Sequence, residues 1–259
     1  MTQAERRLYL IRSLLNEKTE YRSLNVPRDA GEQRKLLRSL MNVRAPKAAD
    51  EAFLSVQDAY LQQELADEGV TDIDDLQPVS GGLYLWQGDI TRLKCGAIVN
   101  AANSGMTGCY IPCHACIDNC IHTYAGIQLR RDCAALMTEQ GHEEPTGQAK
   151  ITKAYNLPCD YVLHTVGPIV RDRVTKEDER LLASCYRSCL ALAEHSGVKS
   201  IAFCCISTGV FHFPNERAAE IAVETVRRYK AETGSRIKVV FNVFKDTDKE
   251  VYRRLLGAD

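Results

Sequence analysis

The chain has 259 residues, 45% hydrophobic and 26% charged, with 33 basic side chains against 34 acidic. This balance excludes a disordered or collagen-like chain, and a formal charge of −1 supplies no bulk field for holding nucleic acid or an anionic membrane. No apolar run reaches the roughly 20 residues of a membrane span, and the start, Met1 to Arg7, has no secretory hydrophobic stretch. The expectation is a cytoplasmic protein with neither nucleic acid nor membrane as partner.

Residues 1–77 read as helices only. Leu8, Ile11, Leu14 and Leu15 share one helical face, and Leu36, Leu37, Leu40 and Met41 repeat the pattern after the break at Pro27. Phe53, Val56, Tyr60 and Leu61 repeat it again after Pro46. No cluster of catalytic side chains stands out, so the segment reads as a packing or partner-binding extension.

The grammar changes after Pro78 and Gly81-Gly82. Strand-length apolar runs are expected at Leu83–Trp86, Ala97–Asn100, Ala149–Tyr155, Tyr161–His164, Ile201–Ile206 and Lys238–Phe241. Helices are expected over 118–138, 177–195, 216–232 and 247–256. Such alternation implies an α/β fold, a three-layer α/β/α sandwich on a mixed, largely parallel sheet, occupying residues 78–259. Ala97-Ile98-Val99 and Ile201-Ala202-Phe203 are apolar at successive positions, as in strands covered on both faces. Ligands in such folds bind beyond the carboxyl ends of the strands, so the residues after each strand are the ones to inspect.

Three such turns carry candidate chemistry. Gly88-Asp89-Ile90-Thr91 pairs a carboxylate acceptor with a glycine that lets a ligand approach the backbone. Asn100-Ala101-Ala102-Asn103 sets amides among small residues. Ser207-Thr208-Gly209-Val210-Phe211 is a small-residue turn whose N–H groups can cradle a phosphate. Neither G-x-G-x-x-G nor a P-loop is present, which removes the standard dinucleotide and nucleotide-triphosphate readings.

The 11 cysteines are uneven: none precedes Cys95, and Cys109, Cys113, Cys116 and Cys120 fall in one short stretch. Zinc favours thiolate and imidazole, with three protein ligands and an open position at catalytic sites. Cys109, His114 and Cys116 are spaced for a short loop to turn toward one ion. Cys113, adjacent to His114, tends to point elsewhere and ranks as a reserve ligand; a structural four-ligand site that includes it is the alternative. Cys120 falls on the following helix and is poorer still. Pro112-Cys113-His114-Ala115-Cys116 also fits half of a zinc-deaminase signature, but the H-x-E half comes later, at His142, instead of preceding it. A Cys113–Cys116 redox pair is disfavoured by the fold grammar and by Cys109 and His114.

Taken in order, Gly88-Asp89-Ile90-Thr91, Ala97 to Asn103, His164-Thr165-Val166-Gly167-Pro168 and Ile206 to Phe211 resemble the signature segments of macrodomains over about residues 80–257. The resemblance implies that Asp89 accepts the adenine amino group of ADP-ribose and that Ile90 contacts the adenine region. It implies that Ser207, Thr208, Gly209, Val210 and Phe211 wrap the diphosphate and distal ribose, and that Asn103 holds the distal ribose hydroxyls. The chain departs from MacroD-type hydrolases between Gly108 and His122, where a Cys/His loop replaces the glycine-rich catalytic loop while Ile117-Asp118 and Ile121-His122 stay in register. That departure resembles the zinc-dependent macrodomains, as does the helical extension. The implied activity is zinc-dependent hydrolysis of an O-linked mono-ADP-ribosyl bond on a modified protein, with one Zn2+ per chain on Cys109, His114 and Cys116. Asn103 and Asp118 are the implied catalytic residues. The implied target is a lipoyl-carrier protein modified by a sirtuin-type transferase. A non-hydrolytic ADP-ribose reader with a structural zinc loop is the competing class.

Overall fold

The computed structural model describes residues 1–21 and 23–257. Its N-terminal helices are α1 (Gln3–Asn16), α2 (Ala30–Val43) and α3 (Glu51–Glu68). Each begins at a side chain that accepts a hydrogen bond from an otherwise unpaired N–H of the first turn: Thr2 from Glu5, Asp29 from Glu32 and Asp50 from Phe53. Their apolar faces bury Leu10, Ile11, Leu14, Leu37, Leu40, Met41, Phe53 and Tyr60 in one cluster, which Ile127 joins from later in the chain.

The chain continues with β1 (Thr71–Asp72), β2 (Leu83–Gln87), β3 (Leu93–Lys94) and β4 (Ala97–Ala102), then helices α4 (Ile117–Ala125) and α5 (Ile127–Gln140). Next come β5 (Ala149–Lys153), β6 (Tyr161–Val166), α6 (Lys176–His195), β7 (Ser200–Phe203), α7 (Asn215–Thr233), β8 (Lys238–Val243) and α8 (Asp246–Leu256). The main sheet runs β2-β8-β7-β4-β6-β5, parallel throughout except where the edge strand β5 meets β6. This is the expected α/β architecture with a mixed, largely parallel sheet. The interior strands carry the continuous apolar runs, and Ala97, Ile98, Val99, Ile201 and Ala202 are fully buried. Parallel strands place the ends of β2, β4, β7 and β8 on one edge, and that edge carries the site.

The structure differs from the sequence reading in three places. Thr71–Asp72 form a short strand paired with Leu93–Lys94, so the stretch before residue 77 is not purely helical. The expected strand 201–206 ends at Phe203, leaving Cys204 to Ile206 to lead into the site turn. The single helix expected over 118–138 is two, broken at Gly126. There φ is +97°, and any Cβ would lie 2.6 Å from the Gln57 amide, so side chains are excluded by both torsion and packing.

Gln57 belongs to a set of polar bonds joining the N-terminal helices to the rest. Fully buried, it accepts from Ile127 N–H and donates to Gln128. The Arg130 guanidinium donates through Nη1 to the carbonyls of Met41, Asn42 and Arg44 at the end of α2. These bonds satisfy backbone carbonyls that have no acceptor role left within the helix. The extension is thereby docked on α4 and α5, beside the Cys/His loop.

Candidate active site

The turns after β2 and β7 meet the loop preceding α4 around a cleft of about 490 Å3. Asp89, Ile90 and all of Ser207, Thr208, Gly209, Val210 and Phe211 line it. Asp89 is set by its own turn: one carboxylate oxygen accepts from Thr91 N–H at 2.9 Å and Thr91 Oγ1 at 2.7 Å. Its other oxygen makes no hydrogen bond among the described residues. The second turn is held by backbone bonds, with Phe213 N–H donating to Ser207 O and Val170 N–H to Phe211 O. Ser207 has φ of +65°, a conformation costly for a residue with a side chain. Its Oγ is buried without a partner, and a Cβ at Gly167 would fall 2.0 Å from it.

The Cys/His loop brings Cys109, His114 and Cys116 together, their ligand atoms within 4.8 Å of one another and Cys109 Sγ 3.7 Å from His114 Nδ1. Cys116 also starts α4, its Sγ accepting from Asn119 N–H, and it lines the cleft. Burial pushes its thiol up to about 12, so a cation is what would hold it as thiolate. The donor set, two thiols and an imidazole, matches zinc. Cys113 is outside the triad: its φ is +52°, and its Sγ lies 3.2 Å from Ser39 Oγ and 3.4 Å from the Lys35 carbonyl. Cys120 is turned toward the Arg38 guanidinium.

Sequence reasoning missed the side chains that shape this loop. Asn119 donates to the carbonyls of Cys109 and Ile111, Asn42 accepts from Cys113 N–H, and Arg38 donates to the His114 carbonyl. Two of these belong to α2, on the side of an amphipathic helix that looks solvent-facing when read alone.

Asn103 and Asp118 do not line the cleft; they sit behind the loop. Asp118 is 5% exposed and accepts through one oxygen from Asn100 Nδ2 at 2.8 Å and through the other from Asn103 Nδ2 at 3.1 Å. Burial lifts its pKa to about 6, opposed by those two amides and by Arg130. Asn103 also donates to the Gly108 carbonyl, and its Oδ1 accepts from Gly105 N–H. Gly108 needs its missing side chain, because φ is +85° and a Cβ would meet the His122 ring at 2.7 Å.

Beneath Asp118 lie two buried imidazoles. His164 meets Asn100 Nδ2 at 3.2 Å and Thr152 Oγ1 at 2.9 Å, whereas both His122 nitrogens lack a hydrogen-bond partner and Nε2 is 3.6 Å from Asp118. Burial lowers both pKa values, that of His164 to about 3. A histidine kept neutral in the fold contributes stability in full above the unfolded value of ~6.5, and that stability is lost as pH falls. Asp118 acts with the opposite sign, its contribution being lost as pH rises through about 6. Replacing His164 with Gln removes one imidazole and leaves Asp118 in place. Urea titrations between pH 6 and 4 should therefore give a stability slope about 1.4 kcal/mol per pH unit shallower in His164→Gln than in the wild type. Equal slopes would mean that His164 is protonated in the fold.

The comparisons agree with this geometry. A Macro domain model matches residues 99–222. The chain is 60% identical to a protein-ADP-ribose hydrolase of Treponema medium over 99% of its own length and 100% of the relative's. It is 50% identical to a protein-ADP-ribose hydrolase of Staphylococcus aureus strain MRSA252, covering 97% of this chain and 95% of that one. The fold matches the crystal structure of a Trypanosoma brucei macrodomain in complex with ADP-ribose, with a TM-score of 0.66 and 32% identity over 85% of this chain and 95% of that one. With a Macro domain match over 99–222, a macrodomain structure at 32% identity and a full-length relative at 60% identity, the chain belongs to the macrodomain family.

Proposed function

We propose that this macrodomain is a protein-ADP-ribose hydrolase that releases mono-ADP-ribose from O-linked sites on modified proteins, with one zinc ion on Cys109, His114 and Cys116. One observation carries the reading: Cys116 belongs both to the soft-ligand triad and to the cleft wall, so a metal there borders bound substrate. The names of the full-length relatives support the hydrolase class.

In this reading Asp89 accepts the adenine amino group through its free oxygen, and Ile90 contacts the ring. The Ser207–Phe211 turn receives the diphosphate and distal ribose. Asn103 is read as orienting the distal ribose and Asp118 as positioning it or a water; what supports the pairing is that Asp118 accepts from the Asn103 amide, although neither lines the cleft. When bound, zinc supplies Lewis acidity, polarising an oxygen of the bond that breaks or acidifying a water. We read residues 1–77 as an extension of a domain spanning 78–259, and a lipoyl-carrier protein modified by a sirtuin-type transferase as the target. No helix among the described residues is long and apolar enough to cross a membrane. All 11 cysteines are free, which supports a cytoplasmic setting.

The test is release of free ADP-ribose from an O-linked mono-ADP-ribosylated protein. Release should stop with a chelator and return with added zinc. Tight ADP-ribose binding at full zinc content, with no release from any O-linked substrate, would favour the reader.

A further inference from the structure

Arg38 lies on α2, far ahead of the residues that match the family model, yet its side chain lines the cleft. One edge of its guanidinium is anchored: Nη2 donates to the His114 carbonyl and to Asn119 Oδ1, both at 2.9 Å, with Cys120 Sγ at 3.5 Å. Those partners are neutral, and Arg38 forms no ion pair among the described residues. Nε is buried without a partner, and Nη1 makes no hydrogen bond among the described residues. The result is a permanently charged, planar donor held by three neutral contacts, with the Tyr124 ring 6.0 Å from Cζ and no ion pair among the described residues.

The surroundings indicate what would compensate that charge. Among the described residues Lys245 is the only other Lys or Arg lining the cleft, and the cleft's carboxylates are Asp89, already assigned to the adenine end, and Asp248. Arg38 stands beside the start of α4, where Ala115, Cys116 and Ile117 also line the wall and the first-turn N–H groups favour negative charge. The Ser207–Phe211 turn lines the same cleft. With Nε buried and Nη2 engaged, Nη1 is the nitrogen left to donate a charge-assisted hydrogen bond to a phosphate oxygen.

We propose that Arg38, contributed by the N-terminal extension, binds the diphosphate of the ligand, so that the extension completes the substrate site as well as bracing the metal loop. This rests on the ADP-ribose reading above. It adds a specificity residue from outside the segment that the family model covers.

ADP and adenosine separate this role from the metal, because both lack the distal ribose and differ in the diphosphate. Affinities of the full chain for each should be measured for wild type, Arg38→Gln and Arg38→Lys, with zinc content and circular dichroism recorded. In Arg38→Gln, ADP should bind roughly 10- to 100-fold more weakly, with adenosine unchanged within about twofold. Arg38→Lys, which keeps the charge without the anchored guanidinium, should fall between and carries the test if the Gln variant does not fold. An unchanged ratio of ADP to adenosine affinity in the folded variants, whether both hold or both weaken together, overturns the proposal. A wild-type chain that binds neither ADP nor ADP-ribose overturns the functional reading itself.

Discussion

Replacing His114 with alanine is expected to remove bound zinc and to lower ADP-ribose release by about 10^3-fold, a loss of several kcal/mol of transition-state stabilisation. ADP-ribose affinity should change far less, because Asp89, Ile90 and the Ser207–Phe211 turn line the cleft from loops other than the metal triad. A contact that acts mainly in the transition state lowers turnover more than binding. The bond from the Arg38 guanidinium to the His114 backbone carbonyl does not involve the imidazole, so the loop should keep that anchor. Cys109→Ala and Cys116→Ala should lose zinc as well, the latter also losing the thiol that accepts from Asn119 N–H. Cys113→Ala should keep its metal, since that thiol faces Ser39 and Lys35. Elemental analysis of the four variants decides the ligand set. Equal zinc loss in Cys113→Ala would make the set wrong, and full turnover by folded, zinc-free His114→Ala would sink a catalytic role for the metal.

Asp89→Ala is expected to weaken ADP-ribose binding by roughly 10- to 100-fold, the worth of a hydrogen bond to a charged group at ~1.5–3 kcal/mol. The alanine variant also removes the acceptor that caps the turn at Ile90, because Thr91 donates twice to the same carboxylate. Asp89→Asn separates the two effects. Its amide oxygen can still accept from Thr91, while an NH2 group replaces the free oxygen and cannot accept from an adenine amino group. Titration calorimetry should therefore find Asp89→Asn nearly as weak as Asp89→Ala, with thermal stability close to wild type. If Asp89→Asn binds as wild type does, the free oxygen is not the adenine acceptor.

Much of the molecule is legible in the amino-acid sequence. Alternating apolar runs and helical periods determine the α/β class, because a strand covered on both faces must be apolar at successive positions, and Ala97 to Val99 are. The turns that line the cleft are legible for a topological reason: parallel strands end on one edge, so the residues after them must converge. The grouping of Cys109, His114 and Cys116 is legible because a short loop limits which side chains can converge, and Cys113 at positive φ is turned away. Features that arise from packing are hidden. The break at Gly126 depends on the Gln57 amide, which approaches from a helix of the N-terminal extension. The shifted acidity of Asp118 depends on its burial between Asn100 and Asn103, which its place at the start of a helix does not reveal. Arg38 is the clearest case. On α2 it occupies a polar position of an amphipathic helix, a place that ordinarily faces water. Only the docking of that helix on α4 turns its charge into the wall of the cleft, since which polar face becomes buried is decided by the partner surface and not by the helix's own sequence.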